Sequence, residues 1–193
     1  MLARYHLPSL FIIAALCCTV ALADDISKIR PTSYVTDLAG VIDASTRQRV
    51  EALGTEVERK TGAQIAVVTV RSLDGRPIEE YAVDLFKHLG VGKQDDRGVL
   101  LLLAPNDRRY RFEIGYGVEP VITDARAGDI GREMVPLLRQ NRYSTAVELG
   151  TSRVASLIAA DKKVKLSGTP IPASEQPEER PRFPLWVVPL GLF

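Results

Sequence analysis

Cysteine is almost missing from this chain: Cys17 and Cys18 are the two it has among 193 residues. Both fall near the amino terminus, so a domain built from the rest has no disulfide framework, thiolate nucleophile or Cys-ligated zinc site. Histidine is equally scarce, with His6 and His88 only, which reduces His-rich metal sites and serine–histidine triads to one candidate. An excess of charge of one sign is also lacking, since 25 basic residues face 24 acidic ones. That balance gives no electrostatic case for nucleic acid as a partner. No internal repeat is visible. No Asp-x-Asp nucleophile pair, P-loop or Cys-x5-Arg motif occurs.

What is present begins with an amino-terminal address. Arg4 and His6 precede an apolar run from Leu10 to Val20, and Ala21-Leu22-Ala23 puts small residues at the −3 and −1 positions before Asp24. Residues 1–23 therefore read as a signal peptide, with the mature chain starting near Asp24. Such a protein is expected to be secreted across the inner membrane and to be periplasmic, or anchored facing outside the cytoplasm. An uncleaved amino-terminal anchor is the alternative.

Periodicity supplies the elements. Asp24 to Thr36 reads as an extended lead-in. A helix follows with Asp43 or Ser45 as its cap, Val50, Leu53 and Val57 at three- and four-residue steps, and Gly62 as its stop. Gln64 to Val70 is a β-branched strand of the buried kind. A second helix runs from about Ile78 to Leu89 with Tyr81, Leu85 and Phe86 inward. Gly98 to Ala104 and Arg108 to Ile114 form a hairpin across Pro105-Asn106-Asp107. Ala125 to Leu138 and Tyr143 to Ala160 are helical, and Pro136 is expected to bend or shorten the first. This order predicts a sheet with helices on both faces, its first two strands parallel and the third antiparallel to the second. From Asp161 the composition changes: 161–182 is rich in Pro and Glu and reads as a linker. Residues 183–193 are apolar, with Trp186 near their start. Eleven residues fall short of the ~20 that cross a bilayer as a helix, so this segment is either a partial membrane span or a free apolar tail.

The hairpin carries the chemistry. An acidic turn, Asp95-Asp96, leads into the first strand, and the second ends at Gly115-Tyr116-Gly117-Val118-Glu119. Antiparallel pairing sets the start of one beside the end of the other, so Asp95, Asp96 and Glu119 share a rim, and Asp124 follows five residues later. The extended stretch from Tyr34 to Ile42 is long enough to bring Asp37 there as well. Oxygen-only clusters suit hard divalent cations, above all calcium, with glycine carbonyls and water completing six to eight ligands. Asp37, Asp96, Glu119 and Asp124 are the expected ligands. The alternative is a set of solvated turn carboxylates with capping roles, Asp124 most of all. Arg108, Arg109 and Arg111 read as a solvated turn, the alternative being that Arg108 or Arg109 holds a phosphoryl anion for a metal-assisted hydrolysis. His88 reads as a late-helix residue easing the helix dipole rather than as a catalytic base. Tyr116 either covers the rim or packs.

Several motifs together resemble the TPM domain family: Tyr34-Val-Thr-Asp37-Leu-Ala-Gly40, Thr61-Gly62-Ala-Gln-Ile-Ala-Val-Val-Thr-Val70, Ile78-Glu-Glu-Tyr-Ala82 and Gly90-Val-Gly92. Asp96-Arg-Gly98, Gly115-Tyr-Gly117-Val-Glu119 and Thr123-Asp124-Ala125 continue the series, which covers a domain at 33–160. The resemblance implies an α/β fold, a Rossmann-like α/β/α sandwich with a mixed sheet. It also implies an acidic calcium-binding rim in some members, and a phosphatase activity proposed for plant ones. Arg97 departs from the pattern, which often has Asn there.

Two functions fit these observations. The first is an extracytoplasmic, divalent-metal-binding accessory or interaction module of a membrane or membrane-protein complex. The alternative is a metal-assisted phosphatase acting on phosphomonoesters, which would make a small phosphoester the partner.

Overall fold

A four-stranded mixed sheet runs through residues 25–93 and 95–167, the part of the chain that this computed structural model describes. In chain order the elements are β1 (Val35–Asp37), α1 (Ala44–Thr61), β2 (Gln64–Thr69), α2 (Ile78–Leu89), β3 (Gly98–Ala104), β4 (Arg109–Ile114), α3 (Asp124–Arg139) and α4 (Tyr143–Asp161). The strands lie side by side as β1-β2-β3-β4, the first three parallel and β4 antiparallel to β3.

All seven residues of β3 are buried, which explains a strand with no polar alternation. Val99, Leu101 and Leu103 point to one face, where they join Ile65 and Val67 of β2 against Val50, Val57, Met134 and Val154 of α1, α3 and α4. Leu100, Leu102 and Ala104 point to the other and meet Tyr81, Ala82 and Leu85 of α2. Helices thus cover both faces of the sheet, the α/β/α arrangement that the sequence pattern predicts.

The local signals act as their chemistry requires. The Asp43 carboxylate accepts the Thr46 N–H at 2.7 Å and caps α1. The Ser45 hydroxyl, the Thr46 N–H and the Ser144 hydroxyl together hold its pKa well below the usual carboxylate range. Gly62 ends α1 in the left-handed region at φ 71°, where its N–H donates to the Glu58 carbonyl.

Four details differ from expectation. The lead-in contains β1, which is too short to show a period and gains its identity from pairing Val35 with Val67 and Asp37 with Thr69. Upstream of it, Ile26–Lys28 forms a 3-10 turn and Ile29 is buried against the α2 layer. Pro136 does not shorten α3, which continues to Arg139. The proline lies in the last turn, and Leu137 and Leu138 beside it pack on the core. At the far end the chain stays with the domain beyond α4: Leu166 packs on the core and the Ser167 N–H donates to Glu56. The segment at 1–23 expected to be a signal peptide, most of the expected linker and the apolar segment at 183–193 lie outside the described residues.

Candidate functional site

Closing the hairpin brings the acidic turn and the Gly-Tyr-Gly segment together as expected. Val99 pairs with Ile114, and just beyond the ladder the Gly115 N–H donates to the Gly98 carbonyl at 2.8 Å. The Gly117 N–H then donates to the Asp96 carbonyl at 3.1 Å. Asp95 and Asp96 both have left-handed backbones, with φ 59° and 51°, a conformation that aspartate tolerates better than most residues. A Cβ on Gly115 would overlap the Asp96 carbonyl oxygen, and one on Gly117 would overlap that of Asp95. The two glycines are therefore required by close approach of backbone to backbone.

Asp95, Asp96, Glu119 and Asp124 are all exposed on this end of the molecule. Asp124 is the first residue of α3, one place inside the cap. The cap itself is Thr123, whose hydroxyl oxygen accepts the Arg126 N–H at 3.4 Å. Tyr116 does not pack: its exposure of 79% makes it the large apolar side chain most open to solvent among the described residues.

Asp37 is not part of the rim. It pairs with Thr69, which pairs with Leu103, so it stands at the opposite border of the sheet. The expected reach was sufficient, but pairing of β1 parallel to β2 carries the chain the other way. With its side chain only 2% exposed, Asp37 accepts the N–H groups of Val41 at 3.1 Å and Ile42 at 3.0 Å. It also accepts the Thr69 hydroxyl, and Arg47 lies at 3.5 Å. These bonds fold the turn between β1 and α1.

Among the described residues no group of three or more His, Cys, Asp or Glu side chains could hold a metal ion. Asp37, at the far border of the sheet, stands apart from Asp96, Glu119 and Asp124. A fixed positive charge does lie behind the rim. Arg97 donates from Nη1 to the Gly117 carbonyl at 3.1 Å. Its Nε and Nη2 are buried without a hydrogen-bond partner among the described residues. The departure from the family pattern at Arg97 was the only sign of this in the sequence.

His88 is in the last turn of α2, with Nε2 at 3.1 Å from the Ile29 carbonyl oxygen and 3.3 Å from Arg30. It ties the amino-terminal segment to the helix. Arg108 and Arg109 are at the other end of β3, because Arg109 pairs with Ala104. Seven strand residues at ~3.3 Å each set them roughly 20 Å from the acids.

This order of helices around a mixed sheet defines an α/β/α domain of Rossmann-like type. The TPM domain family model matches residues 35–157, and the chain belongs to that family. Among solved structures, the amino-terminal domain of a protein from P. gingivalis is 26% identical, with a TM-score of 0.64, over 72% of this chain and 89% of that one. The amino-terminal domain of a Corynebacterium glutamicum protein is 21% identical, with a TM-score of 0.55, over 72% and 87%. The BA42 protein of the psychrophile Bizionia argentinensis is 17% identical, with a TM-score of 0.54, over 65% and 90%. The last two establish likeness of fold alone. No curated protein matches the chain.

Proposed function

We propose that this chain is a protein-binding accessory module that works outside the cytoplasm and docks on a membrane-protein complex through the rim around Tyr116. The supporting observation is the exposure of Tyr116, 79%, on a segment whose flanking glycines seat directly on the Asp95–Asp96 backbone. Most exposed apolar residues need no explanation. A tyrosine on a rigid platform differs, because it offers a large amphipathic contact at little entropic cost, and tyrosine is enriched among residues that dominate interfaces. Asp95, Asp96 and Glu119 are exposed near it, so the matching surface is basic, with charge setting orientation and encounter rate. Leader and family resemblance support placement outside the cytoplasm.

The phosphatase reading needs an arginine to hold the phosphoryl group beside a metal at the acids. Arg108 and Arg109, the arginines considered for it, are at the other end of β3. Arg97 does lie behind the rim, but its Nε and Nη2 are buried away from solvent, which favours the interaction reading.

The test is capture from solubilised envelope membranes of the producing cell on immobilised full-length protein. Wild type is expected to retain a specific membrane protein that moderate salt elutes. Tyr116→Ala should weaken capture about 30-fold, and Asp96→Lys with Glu119→Lys should abolish it, with no change of melting temperature in Tyr116→Ala. Equal recovery by wild type and Tyr116→Ala would remove the proposal.

A further inference from the structure

A cleft of about 400 Å³ opens beside the β3–β4 turn, between that turn and the junction of α3 with α4. It lies outside the carboxyl end of the parallel strands, where open α/β sheets most often bind ligands, and falls within the size range of small-molecule sites. Arg108, Arg109 and Arg139 line it, and none of its lining residues is acidic.

These three arginines differ from six others in the domain, and unlike the equally unpaired Arg59 they stand together around one cleft. Arg47, Arg49, Arg76, Arg111, Arg132 and Arg153 each pair with a carboxylate. Arg108, Arg109 and Arg139 have no ion pair or side-chain hydrogen bond among the described residues. The nearest acid in sequence, Asp107, is committed elsewhere: it accepts the Leu73 N–H at 2.8 Å and the Ser72 hydroxyl at 3.3 Å. That contact fixes the turn and leaves the neighbouring guanidinium groups uncompensated.

The walls are organised as well. Leu103, Val135 and Leu138 provide an apolar floor, and the rings of Tyr110 and Tyr143 border it. Tyr143 donates its hydroxyl to Asn141 Oδ1 at 3.1 Å, which restrains that ring. Arg108 and Asn141, on opposite lips, both have left-handed backbones, with φ 53° and 57°.

We propose that this cleft binds a small organic phosphate, with its oxyanion among Arg108, Arg109 and Arg139 and its apolar or aromatic body on the Leu103–Leu138 floor. Three positive charges without a compensating acid favour a dianionic phosphate over a singly charged carboxylate, and guanidinium geometry suits bidentate oxyanion recognition. The apolar floor favours an ester over inorganic phosphate. The site is independent of the Tyr116 rim, so either proposal can fail alone.

Calorimetric titration of the full-length protein with phenyl phosphate, inorganic phosphate and phenol is the test. Phenyl phosphate should bind saturably at one site and at least about tenfold more tightly than inorganic phosphate, and phenol should not bind. Arg109→Ala and Arg139→Ala should each weaken phenyl phosphate at least about tenfold, Arg139→Lys should recover part of the loss, and Arg59→Gln on the exposed side of α1 should change nothing. Unchanged melting temperatures show that the variants are folded. No saturable binding up to about 10 mM, equal affinity for inorganic phosphate, or undiminished affinity in the two alanine variants would overturn the proposal. Sedimentation with phosphatidate vesicles without binding of phenyl phosphate would overturn it too, by assigning the charge to a lipid surface.

Discussion

Gly115 and Gly117 have no Cβ where the carbonyl oxygens of Asp96 and Asp95 come closest, and the opposing obstacle is backbone, which cannot rotate away. Gly117→Ala should therefore cost about 1–3 kcal/mol by forcing the two segments apart, read as a lower midpoint in denaturant. Asp95→Gly at φ 59° should do the opposite, holding stability level or raising it by up to about 1 kcal/mol, because glycine enters the left-handed region without Cβ strain. Asp37 is a third case at this scale. Its buried carboxylate satisfies Val41, Ile42 and Thr69 beside Arg47, so Asp37→Ala orphans several donors at once. A loss of about 3 kcal/mol is expected in urea unfolding. The sequence showed an aspartate within reach of other acids, but hydrogen bonds to residues four, five and 32 positions away settled its role.

Among the elements, α1 does more than cover a face of the sheet. Its Glu56 accepts Lys60 Nζ at 2.6 Å and both the N–H and hydroxyl of Ser167 at 2.8 Å. The Lys60 hydrogen bond foremost, then the Ser167 bonds, lower the Glu56 pKa from 4.5 to about 2. A depressed carboxylate stabilises the folded form fully above its ordinary value and loses that contribution as pH falls through the folded one. Docking of residues 165–167 should accordingly weaken between pH 4.5 and 2, seen as faster amide exchange at Ser167 after correction for the intrinsic rate. Glu56→Gln should loosen the segment at neutral pH and remove its pH dependence in that window. The boundary at residue 160 rested on a change of composition, which is blind to such contacts: Lys162 and Lys163 look like linker, yet Leu166 packs on the core. Helix ends were more legible, because Asp43 and Gly62 act through bonds to neighbours within four residues.

At the scale of the whole molecule the two proposed surfaces lie at opposite ends of the sheet. The exposed Asp95 and Asp96 adjoin the Tyr116 segment at one end, and unpaired arginines surround a cleft at the other. Roughly 20 Å of strand exceeds the ~8 Å screening length at physiological salt, so the two ends should act independently. Asp96→Asn with Glu119→Gln should alter phenyl phosphate affinity by less than about twofold, and Arg139→Ala should leave membrane-protein capture unchanged. Calorimetric comparison of the variants checks the first, and the capture assay checks the second.

The sequence by itself determined the order of helices and strands, the hairpin and its acidic rim, because these depend on periodicity, turn residues and antiparallel pairing between near neighbours. It determined family membership through motifs spread along the chain. Only the tertiary structure decided that Asp37 sits at the far border, that Arg97 places its charge behind the rim, and that Arg139 joins Arg108 and Arg109 across thirty residues of chain. Those outcomes follow from strand direction and helix packing, which bring together side chains whose spacing in the sequence has no period to read.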